Sequence, residues 1–127
     1  MASELRVNTL KDASGNNSVA MEYVANGSAK AWVNFNGTGT IATRDSLNVS
    51  GLVDNGTGDY SITISSAMGN SNYAFIKSPS TTNTGSYDSY PLTGILTTTT
   101  AQIAQCRNAG ANADLNQVCL SINGDLA

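Results

Sequence analysis

Two carboxylates five positions apart, Asp54 and Asp59, bound the most chemically suggestive stretch of the chain, Asp54-Asn55-Gly56-Thr57-Gly58-Asp59. Glycoside cleavage needs two carboxylates about 5–10 Å apart, one of them with a pKa raised by burial. Clustered Asp, Asn and backbone oxygens also suit a hard cation such as calcium. Neither chemistry is well served here. Acids on an exposed turn stay ionised and have no proton to donate, and the stretch lacks the alternating Asp-x-Asp-x-Asp-Gly order and the distal Glu of an EF-hand. Asp88, Asp114 and Asp125 also fall in expected turns, where Asp bonds to its own backbone. The chain contains no histidine, so the commonest general base and the commonest metal ligand are missing. No enzyme activity, no cofactor and no metal are expected.

Cys106 and Cys119 have no third and fourth ligand nearby for zinc. They are either a disulfide between neighbouring strands or a pair of reduced thiols, and a cytosolic origin favours the second. The Gly-containing loops join strands rather than opening helices, so none of them is a phosphate cradle. Trp32, Tyr60, Tyr73, Phe75, Tyr87 and Tyr90 carry amphipathic rings that can stack on sugars. The first four sit within strand-like runs, which favours core or subunit packing. Trp32 and Tyr73 are the candidates for a subunit interface. Tyr87 and Tyr90 are flanked by loop residues and are the candidates for contact with a host surface glycan.

Six Lys and Arg stand against nine Asp and Glu, a net charge of −3 with only 12% charged residues. No extended cationic surface is available for nucleic acid. The rest of the polar complement is Thr, Ser, Asn and Gly rather than Glu and Lys, which disfavours long solvated helices. No run approaches the roughly 18–20 apolar residues of a membrane-spanning helix. The opening Met1-Ala2-Ser3-Glu4-Leu5-Arg6-Val7 has no apolar signal core, so synthesis in a cytosol is expected.

The elements that must position these residues fall into two parts. Residues 1–29 carry two breaker clusters, Asp12-Ala13-Ser14-Gly15-Asn16-Asn17-Ser18 and Ala25-Asn26-Gly27-Ser28, and read as an arm with one short element around 19–24. Residues 30–127 change to short runs between turns, the pattern of a sandwich or barrel. Ala31, Val33 and Phe35 share one strand face, and Tyr60, Ile62 and Ile64 give the cleanest alternation. The stretch 41–53 reads as β-prone with Leu47 and Val49 pointing one way and Gly51 marking a bulge or a bend. Residues 78–89 read as a long exposed loop, and 118–122 as the last strand. The expected fold is all-β, a small antiparallel, jelly-roll-like β-sandwich. Its core is expected from Val33, Phe35, Leu47, Val49, Ile62, Ile64, Phe75, Val118, Leu120 and Ile122.

Three segments are the most specific: Ser28-Ala29-Lys30-Ala31-Trp32-Val33-Asn34-Phe35-Asn36-Gly37-Thr38-Gly39, Arg44-Asp45-Ser46-Leu47-Asn48-Val49-Ser50 and Asp54-Asn55-Gly56-Thr57-Gly58-Asp59-Tyr60. In order, they resemble a recurrent part of tailed-bacteriophage fibre and appendage proteins, especially of phages of aquatic bacteria. Leu5-Arg6-Val7-Asn8-Thr9-Leu10-Lys11-Asp12-Ala13-Ser14-Gly15-Asn16 is similar to the linker that precedes such domains. The resemblance covers residues 3–77, with a looser echo in 118–125. It implies a homotrimeric β-sandwich on the exterior of a virion, as a tail fibre tip or a capsid decoration, made in the host bacterial cytoplasm. Such domains end much longer fibres, whereas Met1 here stands almost at the linker. The arm is therefore expected to dock the domain to other virion proteins of the capsid, neck or tail. Leu5, Val7, Leu10 and Val19 are spaced apolar anchors in a segment otherwise too polar to fold alone. A receptor-binding adhesin for host glycan is the alternative, with a glycan depolymerase behind it.

Overall fold

The computed structural model describes residues 3–80, 87–89, 95–103, 106–108 and 111–127. Its elements in chain order are β1 (Thr9–Lys11), β2 (Ser18–Ala20), α1 (Met21–Gly27), β3 (Ala29–Asn36), β4 (Ala42–Leu47), β5 (Val49–Gly56) and β6 (Asp59–Ile64). There follow β7 (Ala74–Ser80), β8 (Tyr87–Ser89), β9 (Thr100–Ile103), β10 (Cys106–Asn108), β11 (Ala111–Asn112) and β12 (Gln117–Asn123). Every pairing between these strands is antiparallel. The fold is all-β, as the alternation in the sequence leads one to expect.

Two sheets enclose the core, a four-stranded one in the order β4-β3-β12-β7 and a three-stranded one in the order β5-β6-β9. Period-2 alternation explains the filling. Ala31, Val33 and Phe35 of β3 and Val118, Leu120 and Ile122 of β12 are buried on one side, Tyr60, Ile62 and Ile64 of β6 and Ala101 of β9 on the other. The Phe35 and Tyr60 rings meet edge-on, centroids 5.1 Å apart at 73°, the arrangement aromatic quadrupoles prefer. Met68, Tyr73 and Leu115, from segments outside the regular strands, complete the core.

The structure corrects the expected core at Leu47, which is 49% exposed. The stretch 41–53 is not one strand. Asn48 adopts a left-handed backbone (φ 56°), a conformation in which Asn is enriched among non-glycine residues, and it ends β4 in one sheet and starts β5 in the other. Its side chain makes the corner rigid. The amide nitrogen donates to the carbonyls of Lys30 (3.0 Å) and Ser66 (3.1 Å), and the amide oxygen accepts from the Ser66 N–H (2.6 Å). Alternation restarts after Asn48, so Val49 packs against the core while Leu47 does not. Of the bulge or bend expected at Gly51, the structure shows a bulge, as a register shift between Val49 and Gly51.

Two further differences concern segments read as irregular. In the breaker cluster 12–18, residues 12–17 form the turn of the β1–β2 hairpin and Ser18 opens β2 opposite Lys11. Of the stretch read as a long loop, residues 78–80 continue β7, with Pro79 opposite Val118, and 87–89 form β8 against β10. Pro79 is tolerated because β7 is the last strand of its sheet.

Candidate docking surface

Residues 3–28 form a surface without a core of their own. None of residues 3–28 is buried. The hairpin register sets Leu10 directly opposite Val19, with Thr9 opposite Ala20 and Lys11 opposite Ser18, so two of the expected anchors form one cross-strand apolar pair. They are 40% and 38% exposed and line an open apolar depression of about 280 Å³ with the aliphatic flank of Lys11. Leu5 and Val7 precede the hairpin and are also exposed. The structure therefore brings together Leu10 and Val19, and places Leu5 and Val7 on the approach to them.

The Asp12 side chain holds the hairpin turn. One carboxylate oxygen accepts from the Ser14 hydroxyl and the Asn16 N–H, both at 3.0 Å, and the other accepts from the Asn17 side-chain amide at 2.7 Å. Gly15 supplies the positive φ (74°) that the turn requires. These bonds favour the charged carboxylate, and the Asn17 amide above all holds the Asp12 carboxyl below its usual value. Asn123 and Lys30 tie this segment to the sandwich. Asn123 donates its side-chain amide to the Gly27 carbonyl at 3.2 Å, and the Lys30 ammonium donates to the carbonyls of Ala25 and Ser28 and to the Ser28 hydroxyl.

The two candidates for a subunit interface part company. Tyr73 is 8% exposed and packs within its own chain. Its hydroxyl lies 3.0 Å from the Thr97 carbonyl and 3.3 Å from that of Thr100, so its ring is packed within its own chain. Trp32 is half-buried on the outward side of β3, opposite in phase to Val33. Of the two tyrosines expected to meet a glycan, Tyr87 has its backbone in β8 opposite Asn108; its side chain and the whole of Tyr90 lie outside the described residues. Cys119 is a half-buried free thiol.

Of the acids expected in turns, Asp54 lies in β5 and Asp59 opens β6, and their side chains do structural work. Asp54 accepts from the Gly56 N–H at 2.9 Å, and Asp59 accepts from the Gln102 amide at 2.8 and 3.0 Å. Asp114 accepts from the Gly58 N–H and the Tyr60 hydroxyl, both at 2.8 Å. Among the described residues no helix is long and apolar enough to cross a membrane. Asn48, Leu115 and Asp114 were not singled out as organising residues by the sequence. Comparison with protein-family models, with curated proteins and with solved structures finds no match for this chain.

Proposed function

We propose that the chain is a non-enzymatic structural component of a bacteriophage virion, a β-sandwich displayed on the particle exterior and docked to the capsid, neck or tail through its N-terminal arm. The observation that carries this reading is the arm itself. It is an ordered hairpin and helix with no buried residue, and it holds the Leu10–Val19 pair and Leu5 out to solvent. A segment that folds locally yet buries nothing of its own is shaped to bury its apolar side chains against something else. The resemblance of residues 3–77 to phage appendage proteins supplies the kind of partner.

Particle occupancy tests it. Virions grown with the intact chain should carry it, as read by mass spectrometry of purified particles. Deletion of residues 1–27, or the Leu10→Asp/Val19→Asp pair, should leave a folded sandwich that no longer joins the particle. Wild-type occupancy of either variant would show that the arm is not the anchor, and absence of the intact chain from all particles would remove the virion reading.

A further inference from the structure

We propose that Asn26 is a site of spontaneous deamidation, selected by the fold from the four Asn-Gly pairs of the chain, and that the reaction converts the end of α1 to aspartate and isoaspartate. The pairs are Asn26-Gly27, Asn36-Gly37, Asn55-Gly56 and Asn123-Gly124. In each, a following residue without a side chain leaves its backbone nitrogen open to close approach by the Asn side chain. The pairs differ in how firmly the two reacting groups, the Asn amide and the Gly N–H, are held.

Three of the four are restrained. At Asn36 the side-chain amide donates to the Thr38 carbonyl at 2.7 Å and its oxygen accepts from the Thr38 hydroxyl at 2.8 Å, while the Gly37 N–H donates to the Leu115 carbonyl at 2.9 Å. At Asn55 the amide donates to the Ser61 hydroxyl at 2.7 Å and to the Asp59 carboxylate at 3.3 Å. The Gly56 N–H donates to the Asp54 carboxylate at 2.9 Å, which keeps the proton on that nitrogen. Asn123 is paired through β12 with Ala29 and Ala74 and donates its amide to the Gly27 carbonyl, and Gly124 is backed by Tyr73 and Met68. Asn26 has none of these restraints. It is exposed, its side chain has no hydrogen-bond partner among the described residues, and the space beside Gly27 is open. The Gly27 N–H is held only by the last turn of α1, a helix of seven residues with no side-chain cap and no buried residue. Without packing, so short a helix is marginal, and its end frays open.

In the opened turn the Gly27 nitrogen gives its proton to solvent base and attacks Asn26 Cγ. The N–Cγ bond forms, the Cγ–Nδ2 bond breaks, and the side-chain nitrogen takes a proton from solvent and leaves as ammonia. Water then adds to one of the two carbonyls of the cyclic imide, which opens to aspartate or to the β-linked isoaspartate. No oxidant or reductant takes part. Either product sets a carboxylate near the C-terminal end of α1, where the helix dipole disfavours negative charge and where the last turn holds no basic residue. The β-linked product also lengthens the main chain by one carbon beside Gly27, whose carbonyl receives the Asn123 amide. Deamidation thus weakens the tie of residues 3–28 to the sandwich, whatever that segment binds.

Trypsin cuts after Lys and Arg, so the four pairs fall on separate peptides, residues 12–30, 31–44, 45–77 and 108–127. The folded full chain is held at mildly alkaline pH and sampled over time, and mass spectrometry with fragmentation reads the amide-to-acid mass gain of each peptide. The gain at Asn26 should be at least about tenfold faster than at the other three pairs, the ratio that a local opening easier by about 1.4 kcal/mol supplies. In strong denaturant the four rates should converge. Gly27→Ala, for which there is space, should slow the gain at Asn26 by at least about fivefold through its higher helix propensity. Equal rates at Asn26 and Asn36 in the folded chain, a gain in residues 12–30 that falls on Asn16 or Asn17, an unchanged spread of rates in denaturant, or a Gly27→Ala chain that reacts as fast as the wild type would each overturn the proposal.

Discussion

The Tyr60 hydroxyl and the Asp114 carboxylate, 54 residues apart in the chain, stand 2.8 Å apart at one end of the sandwich. The same hydroxyl lies 2.9 Å from the Gly37 carbonyl, and the same carboxylate oxygen accepts from the Gly58 N–H. A ring buried in the core thus reaches, through its one polar atom, the turn after β3, the turn before β6 and the segment leading to β12. Tyr60→Phe keeps the ring and its contact with Phe35. It should cost about 1 kcal/mol, the usual net worth of a hydrogen bond, whereas Tyr60→Ala should cost about 3–5 kcal/mol. Chemical denaturation of both variants checks the ratio; equal losses would mean that the hydroxyl, not the ring, dominates.

Gly37 is required by the same junction. A Cβ at this position would sit 2.6 Å from the Tyr60 hydroxyl and 2.9 Å from the Leu115 carbonyl, and the Leu115 backbone cannot yield because it accepts the Gly37 N–H at 2.9 Å. Gly37→Ala should therefore destabilise by about 1–3 kcal/mol, as overpacking does. Combined with Tyr60→Phe it should cost less than the sum of the two, since removing the hydroxyl removes one of the clashing atoms.

At the corner between the sheets, Asn48→Gly keeps the left-handed backbone free of strain but removes three side-chain hydrogen bonds. Asn48→Ala removes them and adds the Cβ penalty of that conformation. The expected order of thermal midpoints is wild type, then Gly, then Ala, with the Ala variant down by about 2–4 kcal/mol. An Ala variant as stable as the Gly variant would show that the backbone conformation contributes nothing.

Acid should loosen the arm hairpin by way of Asp12. Its carboxyl is held below the ordinary 3.8, first by the Asn17 amide and then by Ser14 and neighbouring N–H groups. A depressed folded pKa stabilises the hairpin above 3.8, and that stabilisation is lost as pH falls through the folded value. Cross-strand NMR contacts between Leu10 and Val19 should weaken below pH 3.8, and Asp12→Asn should abolish that pH dependence.

Alkali should act on the sandwich through Tyr73, whose hydroxyl is pushed above the ordinary 10.0 by burial. A raised folded pKa means that the contribution is complete below 10.0 and lost as pH rises through the folded value. Tyr73→Phe should flatten the alkaline limb of a stability profile; an unchanged limb would place its cause elsewhere.

The strands that alternate without interruption were legible from residue types alone. Residues 31, 33 and 35, residues 60, 62 and 64, and residues 118, 120 and 122 all face the core as expected, because a half-buried strand must alternate. Leu47 was misread because one left-handed residue resets the phase, and nothing in a run of β-prone residues marks where that happens. Met68 and Leu115 were missed because irregular segments have no period to read. For the surfaces, the arm anchors could be named individually, but the Leu10–Val19 pair depends on a turn register fixed by Asp12.

The central pair of the four-stranded sheet joins β3 to β12, and the bond from Asn123 to Gly27 spans 96 residues. Neighbours in space are thus contributed by segments far apart in the order of synthesis. On a ribosome, the local β5–β6 hairpin can form early, but half of the four-stranded sheet waits for β12 to emerge. Val33 and Phe35 remain uncovered until β12 emerges. Such a high contact order places folding on the millisecond-to-second scale and makes the emergence of β12 the moment at which the sandwich can close.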